Sequence, residues 1–397
     1  MIENTLSGYR VLDLTQNVAG PYCTQVLGDF GAEVIKIERK GVGDDTRAWL
    51  PPETGGHSAT FLALNRNKKS ICLDLDSPEG IAVLCRLTAS ADVVIHSLKP
   101  GSAESRGFGY EDLKIHKPDL IYCAISAFGE KGPLREMPGY DPLMQAFSGI
   151  MSVTGNANDD PVRVSVSLID MGTGMWAALG IIGALLNRSK TGEGADVRAS
   201  LLDTGISWMT IMVAGYLASG KLPQKMGSAM AMTAPYELFK TTDGHVFIAA
   251  GNDRLFVKVC EALGCPELAL DERFLKNSGR VENRVVLHDL LEQRSLAMTT
   301  HEAVALLRKF GAPCSELNNV AQALSHEQVQ ANGIIVSLPV VNAPDHHVVA
   351  TPLTINGKRS AINFAPPALG ADTEQVLAEH GYSHEQIANL RRLSAIA

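Results

Sequence analysis

The stretch Ser167-Leu168-Ile169-Asp170-Met171-Gly172-Thr173-Gly174-Met175-Trp176 sets a single carboxylate at the mouth of an apolar, glycine-laced run that continues to Leu186. Two chemistries fit that placement. A carboxylate held out of bulk water is a nucleophile of low basicity, able to attack an activated acyl group and carry it covalently. An Asp that opens a helical run is also a favoured N-cap, its oxygens taken up by the first backbone N–H groups. Residue type and spacing leave both readings open.

Gly251-Asn252-Asp253 follows the β-rich run His245 to Ala250 directly. It reads either as a tight turn with Asn or Asp capping the next helix, or as a glycine loop that closes over a reactive centre. Other nucleophile patterns are missing. There is no Gly-x-Ser-x-Gly elbow, and the seven cysteines form no Cys-x-x-Cys pair, so they read as reduced small hydrophobes. His346-His347 lies in a proline-rich loop and reads as a solvated pair, so no metal is expected. The run Val11 to Leu14 leads through Gln16-Asn17-Val18-Ala19 to Gly20-Pro21, as dinucleotide folds begin, but the Gly-x-Gly-x-x-Gly fingerprint is absent. NAD is therefore not expected. A different nucleotide-bearing ligand over the strand ends fits an open α/β sheet.

The elements that must position these residues alternate in the first third. Val11–Leu14, Val34–Ile37, Ile71–Leu75, Asp92–Ile95 and Leu120–Ile125 read as strands, with helical patterns between them such as 21–30. Strands separated by helices imply parallel crossover units. Residues 173 to about 217 read as mainly helical, and Pro223, Gly227 and the Met/Ala-rich stretch to Pro235 as a linker. Tyr236–Phe239 and His245–Ala250, joined by Thr242-Asp243-Gly244, read as a hairpin opening a second unit. Ser383-His384-Glu385-Gln386 is a capping box before the last helix.

With 397 residues, 45% of them hydrophobic and 20% charged, the chain suits a globular protein of two or three domains. A net charge of −8 without a basic block excludes a nucleic-acid partner. The N-terminus lacks a signal-peptide pattern, and the apolar run Met171–Leu186 carries four glycines and is short for a bilayer. The expected setting is cytoplasmic, with no membrane association.

The order of short segments resembles the class III CoA-transferases, the family of the formyl-CoA:oxalate and carnitine CoA-transferases. The matching pieces are Leu6-Ser7-Gly8-Tyr9-Arg10-Val11-Leu12-Asp13-Leu14, Ala19-Gly20-Pro21, Gly31-Ala32-Glu33-Val34-Ile35-Lys36-Ile37-Glu38 and Gly43-Asp44 with Arg47. Asn65-Arg66-Asn67-Lys68-Lys69-Ser70, Pro100-Gly101, Gly139-Tyr140-Asp141, Asp170 with Thr173-Gly174, Asp243-Gly244, Gly251-Asn252 and Leu369-Gly370 continue it.

The resemblance implies that Asp170 is the nucleophile, and that coenzyme A enters as an acyl-CoA substrate without metal or NAD. It implies CoA contacts at Arg39, at the backbone of Ala19 and Leu73, and at Lys99 and Arg106, with Tyr140 and Asp141 also on the cofactor side. Val18 stands where the formyl-CoA:oxalate enzymes have a glutamine, and Gly251 and Asn252 form the active-site loop. His96-Ser97-Leu98 stands where many relatives have Glu-Asn-Phe. Tyr140 replaces the histidine that the family's racemase branch uses to exchange an α-proton, and tyrosine is a poor base at neutral pH.

The implied fold is α/β: a Rossmann-like large domain from 1–215 plus 330–397, and a smaller α+β domain, 225–325, closing over the active site. The chain is implied to be ring-like and to interlace with a second copy as a homodimer. The implied reaction moves CoA from a short-chain acyl-CoA to a free carboxylic acid through an aspartyl anhydride and an aspartyl-CoA thioester. Arg47 and Arg163 suggest a dicarboxylate, succinate for example. The rival readings are an acyl-CoA racemase and a non-catalytic CoA-binding protein.

Overall fold

The computed structural model describes residues 4–397, which fall into two compact units. The first comprises the chain up to Ile150, Val164–Ala214 and Asn332–Ala397; the second comprises Met151–Arg163 and Gly215–Ala331.

The first unit is a mixed α/β body on a six-stranded parallel sheet. Its strands are β1 (Arg10–Leu14), β2 (Glu33–Glu38), β3 (Lys68–Cys72), β4 (Val93–His96), β5 (Ile121–Ser126) and β6 (Ala195–Ser200). They lie in the order β3-β2-β1-β4-β5-β6 with every pairing parallel. Val11, Leu12, Ile35, Val94, Ile95 and Ile121 are almost fully buried, as expected of strands covered on both faces. Successive strands add outward from β1 to β3, and the chain then crosses to β4 on the other side of β1. That reversal opens a crevice beyond the carboxyl ends of β1 and β4.

Helix α1 (Ala19–Asp29) joins β1 to β2, and α2 (Pro78–Thr88) joins β3 to β4. After β5 come α3 (Asp141–Phe147) and the long α4 (Leu168–Thr191); α5 (Leu201–Trp208) and α6 (Thr210–Ser219) follow β6. A side chain at Gly174 would put its Cβ 2.4 Å from the Ala19 carbonyl oxygen, so α4 crosses the first turn of α1 where only glycine fits. Asp170, one helical turn earlier, is thereby brought to the start of α1.

Two expectations need correction. The third strand begins at Lys68 rather than Ile71, because the buried Lys68 ammonium is neutralised by Asp13 at 3.1 Å and also donates to Asn65 and the Pro21 carbonyl. The stretch 173–217 is not helical throughout: α4 stops at Gly192, whose φ of 76° is left-handed, and β6 follows. Helix α4 also outruns the apolar segment 171–186. By length and composition it is apolar enough to cross a membrane, and 44% of its apolar window is buried within the protein.

In the second unit β7 (Tyr236–Lys240), β8 (His245–Ala249) and β9 (Cys314–Glu316) form an antiparallel sheet, ordered β9-β8-β7. The β7–β8 turn forms around Asp243-Gly244, with the Thr241 N–H donating to the Gly244 carbonyl at 3.0 Å. Helix α7 (Asp253–Ala262) packs Phe256, Val259 and Cys260 into a core with Phe239, Val246 and Ile248.

Candidate active site

The N-terminus of α4 is capped from a neighbouring helix. Ser167, at the N-cap position, makes no side-chain cap bond. Instead Asp141 Oδ2, at the start of α3, accepts the N–H groups of Ile169 at 2.7 Å and Asp170 at 3.1 Å. Asp141 Oδ1 accepts from Gln145 Nε2 at 2.5 Å. The Asp170 side chain makes no hydrogen bond or ion pair with any described residue, so the cap reading of Asp170 does not hold. Asp141 is itself 2% exposed and is not among the residues that line the Asp170 cavity. Both its oxygens accept from internal donors, Gln145 on one and the α4 amides on the other.

The Asp170 carboxyl is raised from 3.8 to about 7, chiefly by burial and then by the charge of Asp141. A helix N-terminus favours the carboxylate, but its dipole effect is about 0.3–1 kcal/mol, too little to offset burial. The acid therefore titrates near neutrality.

Asp170 lines a cavity of about 250 Å³ with Val18, Ala19, Trp49, Lys99 and Tyr140. The cavity sits in the crevice past the ends of β1, β4 and β5, where Gln16, Ser97 and Ser126 also line it. The loop after β1 is held at each residue. Thr15 N–H donates to Asp13 (2.9 Å), Gln16 N–H to Ser97 Oγ (3.1 Å) and Asn17 N–H to Asp44 (3.1 Å). Lys36, fully buried, grips the Thr15 carbonyl at 2.9 Å and Asp44 at 2.8 Å. Past this loop the amides of Val18, Ala19 and Gly20 have no acceptor among the described residues, and Val18 brings no capping side chain. The positive end of α1 is thus left unfilled beside Asp170.

A second cleft, of about 580 Å³, is lined by Arg39, Leu73 and Arg106 among others. Gln16 and Leu98 line both clefts, so the two adjoin. Arg39 pairs with Asp45 and donates to the Gly43 carbonyl, and Arg106 pairs with Asp76 at 3.1 Å. These exposed pairs are weak and exchangeable for an anionic ligand. Lys99 is exposed and makes no ion pair with any described residue. His96 is buried and neutral, burial holding its imidazole down to about 3, and its Nδ1 accepts the Leu98 N–H at 3.1 Å. It shapes the loop that carries Ser97 and Lys99.

Of the residues expected from the sequence, Val18, Ala19, Lys99, Tyr140 and Asp170 share the first cavity, and Arg39, Leu73 and Arg106 the second. Gly251 and Asn252 belong to the second unit, where Asn252 Oδ1 caps α7 by accepting the Leu255 N–H at 2.9 Å. Arg47 is engaged within the protein: Glu38 accepts from it at 2.8 and 2.7 Å, the Pro367 carbonyl at 3.1 Å, and its guanidinium lies 3.8 Å over Phe61. Arg163, in the second unit, is exposed. Sequence reasoning assigned no site role to Gln16, Asn17 or Ser97, seen there only as parts of longer segments, and none to Trp49 or Gln145. The i,i+4 spacing of Asp141 and Gln145 was the readable signal for the last. Among the described residues, no cluster of three or more His, Cys, Asp or Glu side chains is arranged to hold a metal.

Comparison with known proteins adds an independent line. The chain is 37% identical over 374 residues to the succinyl-CoA:glutarate CoA-transferase of Homo sapiens, covering 94% of this chain and 85% of the human protein. It is 36% identical over 380 residues to the succinate–glutarate CoA-transferase of Agrobacterium fabrum, covering 94% and 95% of the two chains. A crystal structure of a CAIB/BAIF family protein from Brucella suis superposes with a TM-score of 0.85 at 38% identity, over 94% of this chain and 99% of that one. The model of CoA-transferase family III matches residues 6–373. On this match over nearly its whole length, the chain belongs to family III of the CoA-transferases, enzymes that act on CoA thioesters.

Proposed function

We propose that the enzyme transfers CoA from a short-chain dicarboxylyl-CoA, with succinyl-CoA as the leading donor, to a free carboxylic acid by covalent catalysis at Asp170. The observation that carries the reading is the Asp170 carboxyl itself: unpartnered, half-buried and facing a cavity, while the capping duty it would otherwise have falls to Asp141. The dicarboxylate preference draws on the names of the human and Agrobacterium relatives.

Asp170, ionised, attacks the thioester carbonyl. The tetrahedral oxyanion collapses by expelling CoA thiolate and leaves a mixed anhydride between Asp170 and the donor acid. A thiol of pKa about 8.5 is a tolerable leaving group. The thiolate then attacks the aspartyl carbonyl, releasing the first acid and forming an Asp170–CoA thioester. The acceptor carboxylate attacks that thioester, regenerating an anhydride and thiolate. Attack of the thiolate on the acceptor's acyl carbon yields the new acyl-CoA and restores the Asp170 carboxylate. The thioester's free energy is kept at each stage only if water stays out, which the apolar walls at Val18, Trp49 and Leu201 favour. The free amides of Val18, Ala19 and Gly20 are suited to the oxyanion or to the CoA carbonyls. Arg39, Leu73, Lys99 and Arg106 are assigned to the nucleotide end of CoA, and the Gly251-Asn252 loop, with the domain 225–325, to closure over the site.

The active form is proposed to be a homodimer of interlaced ring-like chains in the cytoplasm. Helix α6 has no buried residue although it reads Thr-Ile-Met-Val-Ala-Gly-Tyr-Leu-Ala-Ser, and Trp176 and Leu179 on α4 are about half exposed. A second copy, rather than lipid, is the proposed cover. The seven free cysteines suit a reducing compartment.

The test is exchange of labelled free succinate into succinyl-CoA by the enzyme alone, followed by a panel of acceptor acids. Label exchange without a second acid is expected for a covalent carrier. Exchange with monocarboxylates only, or none in the absence of acceptor, rejects the proposal.

A further inference from the structure

Resting on the reading of Asp170 as the acyl carrier, we propose that Gln145 is a positioning residue of the transfer reaction, orienting the Asp141 carboxylate that holds the Ile169 and Asp170 amides. Gln145 is fully buried on α3, one turn after Asp141, and does not line the Asp170 cavity. Its two ends are distinguished by Val164. The Val164 N–H donates to Gln145 Oε1 at 2.8 Å, and the Val164 carbonyl accepts from Nε2 at 3.0 Å. The amide therefore cannot flip.

The second Nε2 proton goes to Asp141 Oδ1 at 2.5 Å, leaving Asp141 Oδ2 for the two α4 amides. Every partner of Asp141 is a donor. Only a carboxylate accepts on both sides, and a locked Gln145 fixes how it is turned. Val164 is the first residue of the stretch by which the chain re-enters the first unit. A single side chain thus ties that point of the backbone to the backbone of the reacting residue.

The experiment uses the full-length enzyme with Gln145→Glu and Gln145→Met, and Asp170→Ala as reference. Glutamate at 145 accepts the Val164 N–H with one oxygen, while its other oxygen meets the Val164 carbonyl and the Asp141 carboxylate, with Asp170 beyond. That arrangement needs a proton. Relative to wild type at each pH, Gln145→Glu is expected to keep its kcat near pH 6 and to lose about tenfold or more by pH 8.5. KM for the acyl-CoA should stay within about twofold, because the nucleotide cleft is untouched. Gln145→Met should lower kcat by a similar factor at every pH.

A Gln145→Glu enzyme that tracks wild type across the range overturns the proposal, as does a Gln145→Met enzyme of full kcat. A parallel loss of kcat, CoA binding and folded circular dichroism in both variants also overturns it, in favour of a merely structural role. An active Asp170→Ala enzyme defeats the carrier reading itself. An inactive Asp170→Ala enzyme beside a normal Gln145→Glu enzyme defeats only the role of Gln145.

Discussion

Replacing Asp170 by asparagine should stabilise the protein, by an amount that depends on pH. Burial and the neighbouring Asp141 raise the Asp170 carboxyl from 3.8 to about 7. At about 1.4 kcal/mol per pH unit, ionising this group in the folded state costs at most about 4–5 kcal/mol. One side of the carboxyl is open to the cavity, and solvent screening there reduces the cost to about 2 kcal/mol. The sign follows from proton binding. Between pH 3.8 and about 7 the folded chain holds this proton more tightly than the unfolded chain, so wild-type stability falls as pH rises through that window. Asparagine has no proton to lose. The urea midpoint of Asp170→Asn should exceed that of wild type by a small margin at pH 5 and by about 2 kcal/mol equivalent at pH 8, at matched protein concentration. A gap that stays constant, shrinks with pH or has the opposite sign would refute the claim that this carboxyl is held against its solvation.

The same shift predicts the rate profile. Transfer requires the carboxylate, so kcat/KM should rise with pH through about 7 and then level, whereas an acid limb near 4 would mean a solvated group. Gly174→Ala puts a methyl group 2.4 Å from the Ala19 carbonyl, so α4 must shift. Turnover is expected to fall about tenfold or more while nucleotide binding, measured by calorimetry with CoA, changes little. Arg47→Met leaves Glu38 buried without its bidentate partner, and unfolding titration should show a loss of about 3–5 kcal/mol. The ratio of rates for succinate over a monocarboxylate should not change, and a selective loss of succinate would return Arg47 to the substrate.

The parallel sheet was readable because β1, β2, β4 and β5 are short apolar runs punctuated by helical patterns. It was misread where burial is bought with charge: β3 starts at Lys68, whose partner Asp13 lies 55 positions away. Strand β6 was missed because Ala195–Ser200 alternates exposed and half-buried residues straight after a long helix. Asp170 was legible as a candidate from its type and its place before an apolar helix. What distinguishes nucleophile from cap is Asp141, 29 residues upstream, which no local pattern connects to the α4 amides. Arg47 looked free for the same reason, since Glu38 meets it only across the turn at Gly43-Asp44.

Intact-protein mass spectrometry after brief mixing with succinyl-CoA, followed by hydroxylamine or borohydride and peptide mapping, tests the central claim most directly. Covalent catalysis predicts a CoA-sized adduct on the untreated protein, a hydroxamate or reduced side chain mapped to Asp170, and neither in Asp170→Asn. Turnover with no adduct on any residue, or an adduct mapped elsewhere, contradicts it.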